Sequence, residues 1–300
     1  MGGKNIVGTI IRSEGIMDNL NFINKSKVEA NKHEWLYQCT SFAAFRNILK
    51  SRQIWLSNLK DVNDKEEVNR ISVPEYETSF YVACFTYMND ISKKHWEEYG
   101  YGDEGILYSF KQDWIKKEPI FLNSNNSIEE DIYLKIYSTS REALDASIYE
   151  EIHNNRKGCN PYYTIDFDFY QIIYDNKLKK DMQRIVKLQL DDEDIQGRGI
   201  TPAVVGIIKF ERGLCERPGK ESYIKEWKEE KEVRLKVGLQ SYGAILPSGT
   251  YIPKMAVPLK DEAFSKLQIR FNPDIDKNKM KANMDEIYRI LPDSEITILN

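Results

Sequence analysis

The 300-residue chain predicts an α+β fold of mixed, mainly antiparallel sheets with flanking helices, on three observations. Runs such as FYVACFTY (80–87) and YYTIDFDFYQIIY (162–174) are dense in aromatic and β-branched residues, as strands are. Helical stripes are interspersed with such runs, for instance Phe42, Phe45, Ile48 and Leu49. The two kinds of segment do not alternate as a strict βαβ series, which argues against a doubly wound sheet.

Residues 1–33 are mixed and polar and read as an arm or accessory helix preceding a single domain over 34–300. LYQCTS opens that domain as a strand, and Ser41 is placed to cap the helix that follows. Ile54 and Leu56 alternate as a short strand, and NLKDVNDKEE is turn chemistry. FYVACFTY is expected to be a buried strand, with GILYSFK (105–111) as its neighbour. NSNNS (123–127) reads as a loop. Ser127 with Glu130 resembles a capping box for a helix running to about residue 153. After YYTIDFDFYQIIY, a helix is expected over KLKKDMQRIVKLQL (177–190), and DDEDIQGRG (191–199) is the clearest internal break. TPAVVGIIKFERGL (201–214) reads as a helix starting near Pro202. KEVRLKVGL (231–239) switches to period two, then KLQIRF, DKNKMKANMDEIYRIL and EITIL predict strand, helix and strand.

Composition narrows the function classes. Hydrophobic residues at 41% and charged residues at 30% describe a globular chain. A net charge of −4 argues against nonspecific binding to duplex DNA. Four cysteines lie far apart with no CxxC pair, so neither a zinc site nor a disulfide framework is expected, and no metal is predicted. MGGKNIVGTIIRSEG lacks the apolar core of a signal peptide, and no apolar run is long enough to cross a bilayer. The expectation is a cytoplasmic protein without a membrane partner. GxSxG, P-loop, GxGxxG and HExxH patterns are all missing, and His33, His95 and His153 stand isolated.

Three stretches could carry chemistry. In EEKEVR (229–234), a period-two strand sets Glu230, Glu232 and Arg234 on one side. A carboxylate there can stabilise developing positive charge and Arg234 can hold a phosphate; alternatively the residues form a solvated sheet face. Asn63, Asp64 and Glu66 in VNDKEE could bind a divalent cation, as a metal-dependent nuclease would require, or could close an Asx turn. Trp96, Tyr99 and Tyr101, close to two glycines, could stack on a nucleobase or nicotinamide ring, or could plug the core.

The order LYQCTS, IWLSN, NDKEE, HWEEYGYGDEG, EWKEEKEVRL and IPKMAVPL resembles a bacterial family of domains of unknown function, family twenty-nine seventy-one. Its members usually read L-Y-H-Y-T-S, I-W-L-S, N-D-P-x-E, M-W-x-H-Y, K-G and E-x-E-W-R. The likeness runs from Leu36 to the end of the chain. The front of the pattern also looks like ADP-ribosyltransferase-type folds with split sheets. That resemblance implies NAD as co-substrate, with Gln38, Glu232 and Glu230 as catalytic candidates. Tyr37, Thr40, Ser57, Asn63, Asp64, Trp96, Tyr99 and Arg234 are then the ligand-binding candidates. It leaves the acceptor open between protein and RNA, and such families tend to occur in toxin or phage-defence settings. Departures are Gln38-Cys39 for His-Tyr, Lys65 for proline, Glu98 for histidine and Val233 for tryptophan. Glutamine can bond a ribose hydroxyl but cannot be protonated near neutrality. A non-catalytic nucleotide-sensing or protein-interaction module on the same fold is therefore the alternative. Thr40 either meets the ligand or helps cap the helix behind it.

Overall fold

The computed structural model describes residues 21–64, 80–100, 102, 104–121, 136–154, 162–181, 206–216, 221–241 and 253–299. Helix α1 covers 21–31. It is followed by β1 (Leu36–Ser41), α2 (Phe42–Ser51), β2 (Gln53–Asn58), β3 (Phe80–Thr86), α3 (Lys93–Tyr99) and β4 (Gly105–Phe110). Then come β5 (Ile120–Phe121), β6 (Ile136–Tyr137), α4 (Ser140–Asn154), β7 (Tyr162–Gln171), β8 (Ile173–Tyr174) and α5 (176–181). The chain closes with β9 (Ile208–Lys209), β10 (Arg212–Cys215), β11 (Tyr223–Glu226), β12 (Glu232–Ser241), β13 (Lys254–Pro258), β14 (Lys266–Phe271), α6 (Lys277–Ile290) and β15 (Glu295–Ile298). This is an α+β protein. Among the described residues, no helix is long and apolar enough to cross a membrane.

The main sheet runs β15-β14-β4-β1-β3-β12-β7-β6, antiparallel except at β14–β15 and β6–β7. Its decisive feature is a fork on one edge of β3. Tyr37 of β1 pairs with Thr86, near the end of β3, while Ser57 and Asn58 of β2 pair with Val82 and Tyr81 near its start. Ala83, Cys84 and Phe85 lie between the two prongs. Helix α2 links the prongs. The Ser41 hydroxyl accepts a bond from the Ala44 amide at its start, and Arg52, in the left-handed region at φ 54, ends it by donating to Ile48 O. Phe42, Phe45 and Leu49 bury its inner face.

Both faces of the sheet centre are covered. Leu36, Ala83, Phe85, Val233, Leu235 and Val237 belong to the large core beneath α2 and α6. Strand β12, paired on both sides, turns Glu232, Arg234 and Lys236 to the opposite face. That face is not solvated: Arg234 is 1% exposed and Lys236 0%. Lys236 instead pairs with Asp166 at 3.2 Å and lies over the ring of Phe80.

Several expectations change. Glu230 is not on β12; it ends a short 3-10 turn (Trp227–Glu230), and Lys231 at φ 49 redirects the chain before the strand. The helix expected over 201–214 is replaced from Gly206 onward by β9 and β10, because Gly206 takes φ +77 and Ile207 and Ile208 pack on Tyr170 and Ile23. The neighbour of β3 on its forked edge is β1, not β4, because β1 inserts between them and pairs along its whole length with β4, from Leu36 opposite Phe110 to Ser41 opposite Gly105. The helix ending near 153 starts at Ser140, after β6. Thr139 Oγ1 accepts from the Glu142 amide at 3.2 Å and Glu142 accepts from Ser138 N at 3.0 Å. Ser127 and Glu130 lie outside the described residues, as do most of 177–190 and all of 191–199.

Trp96 fills the core between α3 and the sheet with Tyr37, Ile91 and Leu107. Room for it depends on Gly105, where an added Cβ would stand 2.9 Å from Gly100 Cα and 3.0 Å from the Trp96 ring. Gly105→Ala is expected to lower unfolding free energy by about 1–3 kcal/mol, read from urea denaturation.

Candidate functional site

The fork opens into a cavity of about 430 Å³. Its floor is the stretch Ala83–Phe85 of β3, where Cys84 is exposed between the buried Ala83 and Phe85. One wall comes from β1, another from β2 and β13, and the third from α3, β9, the Trp227–Glu230 turn and the start of β12. Residue parity sorts the walls. Gln38 belongs with Leu36, on the side of the large core, whereas Tyr37 and Cys39 pack on the side of Trp96. Glu232 and Gln38 therefore reach the cavity from opposite faces of the sheet, and they meet there because β1 and β2 diverge.

Gln38 is fixed by two bonds. Its Oε1 accepts from the buried Tyr108 hydroxyl, and its Nε2 donates to Cys84 O at 3.2 Å, satisfying a carbonyl that the fork leaves unpaired by β1. One N–H and one lone pair remain for a ligand. Thr40 borders the cavity half-buried, and the cap of α2 is made by Ser41.

Opposite Gln38 lies a buried charge network. Arg234 Nε donates to Glu232 Oε1 at 2.5 Å and its Nη1 donates to Gly206 O at 3.0 Å. Lys209 Nζ stands 3.0 Å from Glu232 and 3.9 Å from Glu230. Lys225 Nζ stands 2.6 Å from Glu230 and pairs closely with Glu98. The Tyr99 hydroxyl donates to Glu230, and that of Tyr223 to Glu98 at 2.6 Å. Three carboxylates thus face three cations, so the assembly is electrically balanced where an unpaired charge would be costly. Trp227 sits among them, 1% exposed, with Lys209 4.5 Å and Lys225 4.9 Å from its ring.

Electrostatics follow from this arrangement. Burial works to raise the Glu232 carboxyl, but the charges of Arg234 and Lys209 outweigh it and hold the group well below the usual carboxylate range. The Cys84 thiol opens to the cavity at its floor, yet the protein around it and the Glu232 charge push its pKa well up. Burial pushes the Cys39 thiol up to about 12. Neither cysteine is poised as a thiolate.

The remaining expected residues divide cleanly. Tyr37, Ser57, Asn63, Asp64 and Tyr99 all border the cavity. The Tyr37 hydroxyl is held by Gln268 Oε1 at 3.0 Å, and Asp64 is buried where its backbone bridges to Cys215. Trp96 does not border it, because its ring is spent on the core. Glu66 and Tyr101 lie outside the described residues. Among the described residues, no three His, Cys, Asp or Glu side chains gather to hold a metal. His95, which stood isolated in sequence, borders the cavity as well. Lys209, Lys225, Trp227, Trp55 and Lys254 were not among the residues singled out by sequence. Of these, Lys209 carried a signal, as a charge inside the apolar run VVGIIKF. Glu98 is the counter-charge of buried Lys225, a role that a neutral side chain could not supply.

Comparison of the chain with protein-family models, curated proteins and solved structures finds no match.

Proposed function

We propose that the forked cavity binds NAD or a related nucleotide and that the protein is an ADP-ribosyltransferase-type enzyme of the bacterial family whose motif order it follows. One observation carries this reading: Gln38 and Glu232, from strands on either side of β3, border a single cavity of about 430 Å³. That volume is within the range of small-molecule sites. In the reaction, the bond between ribose C1′ and the nicotinamide nitrogen breaks, and its electron pair passes to the pyridinium ring. The cation left at C1′ is stabilised by Glu232; the acceptor attacks C1′, forming the new glycosidic bond, and passes its proton to solvent water. Gln38 orients a ribose hydroxyl through its remaining N–H. A place in toxin action or phage defence belongs to the same proposal.

A second reading is favoured by the balance of the charge network: with Glu232 already neutralised by two cations, the site binds a nucleotide and senses it without turnover. The two part in one experiment, a thermal-shift titration with NAD paired with chromatographic detection of free nicotinamide. At a hundredfold excess over Kd, binding adds about 2.7 kcal/mol to unfolding free energy. A shift with nicotinamide release is expected for the enzyme. A shift without release transfers the case to the sensing module, and the lack of any shift with NAD or ADP-ribose defeats both.

A further inference from the structure

The wall formed by β2 and β13 has a chemistry of its own. Along β2 the residues alternate: Ile54 and Leu56 enter the large core, while Trp55 and Ser57 stay half-buried and turn to the cavity. Strand β13 continues this surface in register, with Lys254 opposite Ser57 and the small Ala256 opposite Trp55. Lys254 Nζ is 3.4 Å from Ser57 Oγ. Lys209 and Arg234, the other lysine and arginine of the cavity, are committed to Glu230 and Glu232, whereas Lys254 forms no ion pair among the described residues. An indole platform, a hydroxyl and an uncommitted ammonium therefore share one face of a two-strand ladder.

The geometry points to this wall as the subsite for the base and phosphate of the ligand: an aromatic base stacks on Trp55, and the adjoining phosphate is held by Lys254 and the Ser57 hydroxyl. This rests on the nucleotide reading of the cavity and sharpens it to ligands carrying a ring and a phosphate within a few ångströms of one another. A nucleoside without phosphate loses the ammonium contact, and inorganic pyrophosphate loses the stacking.

Isothermal titration of the full chain with ADP-ribose, inorganic pyrophosphate and adenosine tests the assignment. Trp55→Ala is expected to weaken ADP-ribose about tenfold, in line with the usual worth of base–aromatic stacking, and to leave pyrophosphate unchanged. Trp55→Phe, which keeps a ring and guards against a folding defect, is expected to stay within about threefold of wild type. Lys254→Gln is expected to weaken ADP-ribose and pyrophosphate by about tenfold and to leave adenosine unchanged. If wild type binds ADP-ribose and both Trp55→Ala and Lys254→Gln bind it equally well, the subsite assignment is overturned while the nucleotide reading survives. If wild type binds neither ADP-ribose nor NAD, the assignment falls together with that reading.

Discussion

Glu232→Gln is expected to abolish NAD turnover and, separately, to destabilise the fold by roughly 3–5 kcal/mol, the usual result of removing one partner of a buried ion pair. A carboxylate on a solvated strand face could be neutralised without structural effect. The position of Glu232 between Arg234 and Lys209, with all three nearly inaccessible, excludes that outcome. The amide keeps the shape and loses the charge, leaving the buried network with one positive charge in excess. The pH dependence separates this from a packing defect. Although burial alone would raise its pKa, the neighbouring cations depress the carboxyl of Glu232 in the folded state. Its contribution is thus complete above the unfolded carboxylate pKa, near 4.5, and is lost as pH falls toward the folded value. Chemical denaturation from pH 7 down to pH 3 should show a shallower acid limb for Glu232→Gln than for wild type. Equal limbs would mean that the carboxylate is not coupled to Arg234 and Lys209.

Trp227→Ala is expected to cost about 3–5 kcal/mol, as for other large buried aromatics, and to loosen the site along with the fold. The indole separates and orders Lys209 and Lys225, one near each of the carboxylates that border the cavity. Without it the two ammonium groups lose a favourable quadrupole and gain water, which weakens their grip on Glu230 and Glu232. Trp227→Phe restores a ring and much of the volume, so it should recover more than half of the lost stability in guanidinium denaturation. Recovery no better than alanine would place the cost in the indole shape rather than in the ring.

Much of this architecture is written in local patterns. The α2 stripe, the Ser41 cap, the alternation of β2 and β12 and the closing strand, helix and strand are all set by short-range spacing, and they stand where that spacing puts them. The buried polar face of β12 is different. Glu232, Arg234 and Lys236 alternate with apolar residues as any half-solvated strand would, and no local pattern distinguishes the two cases. What closes over Glu232 and Arg234 is a second layer drawn from β9, β11 and the Trp227–Glu230 turn, whereas Lys236 meets Asp166 and the rings of Phe80 and Tyr170; all of these are tertiary contacts. Trp96 and Trp55 show the same limit for the site. Both are aromatic residues near polar ones in sequence; helix position turns Trp96 into the core, and strand parity turns Trp55 to the cavity. The helix expected after Pro202 failed beyond Gly206 because a positive φ at one residue outweighs the helical propensity around it.

The pairing of β3 with β12 joins residues 80–86 to residues 232–238. Until the ribosome has made the last quarter of the chain, Phe80–Thr86 has no mate on that side, and its apolar edge is open to other molecules during synthesis. The middle of the sheet is accordingly among the last parts to assemble, and a chain that stops short of residue 232 is an aggregation hazard rather than a smaller version of the protein.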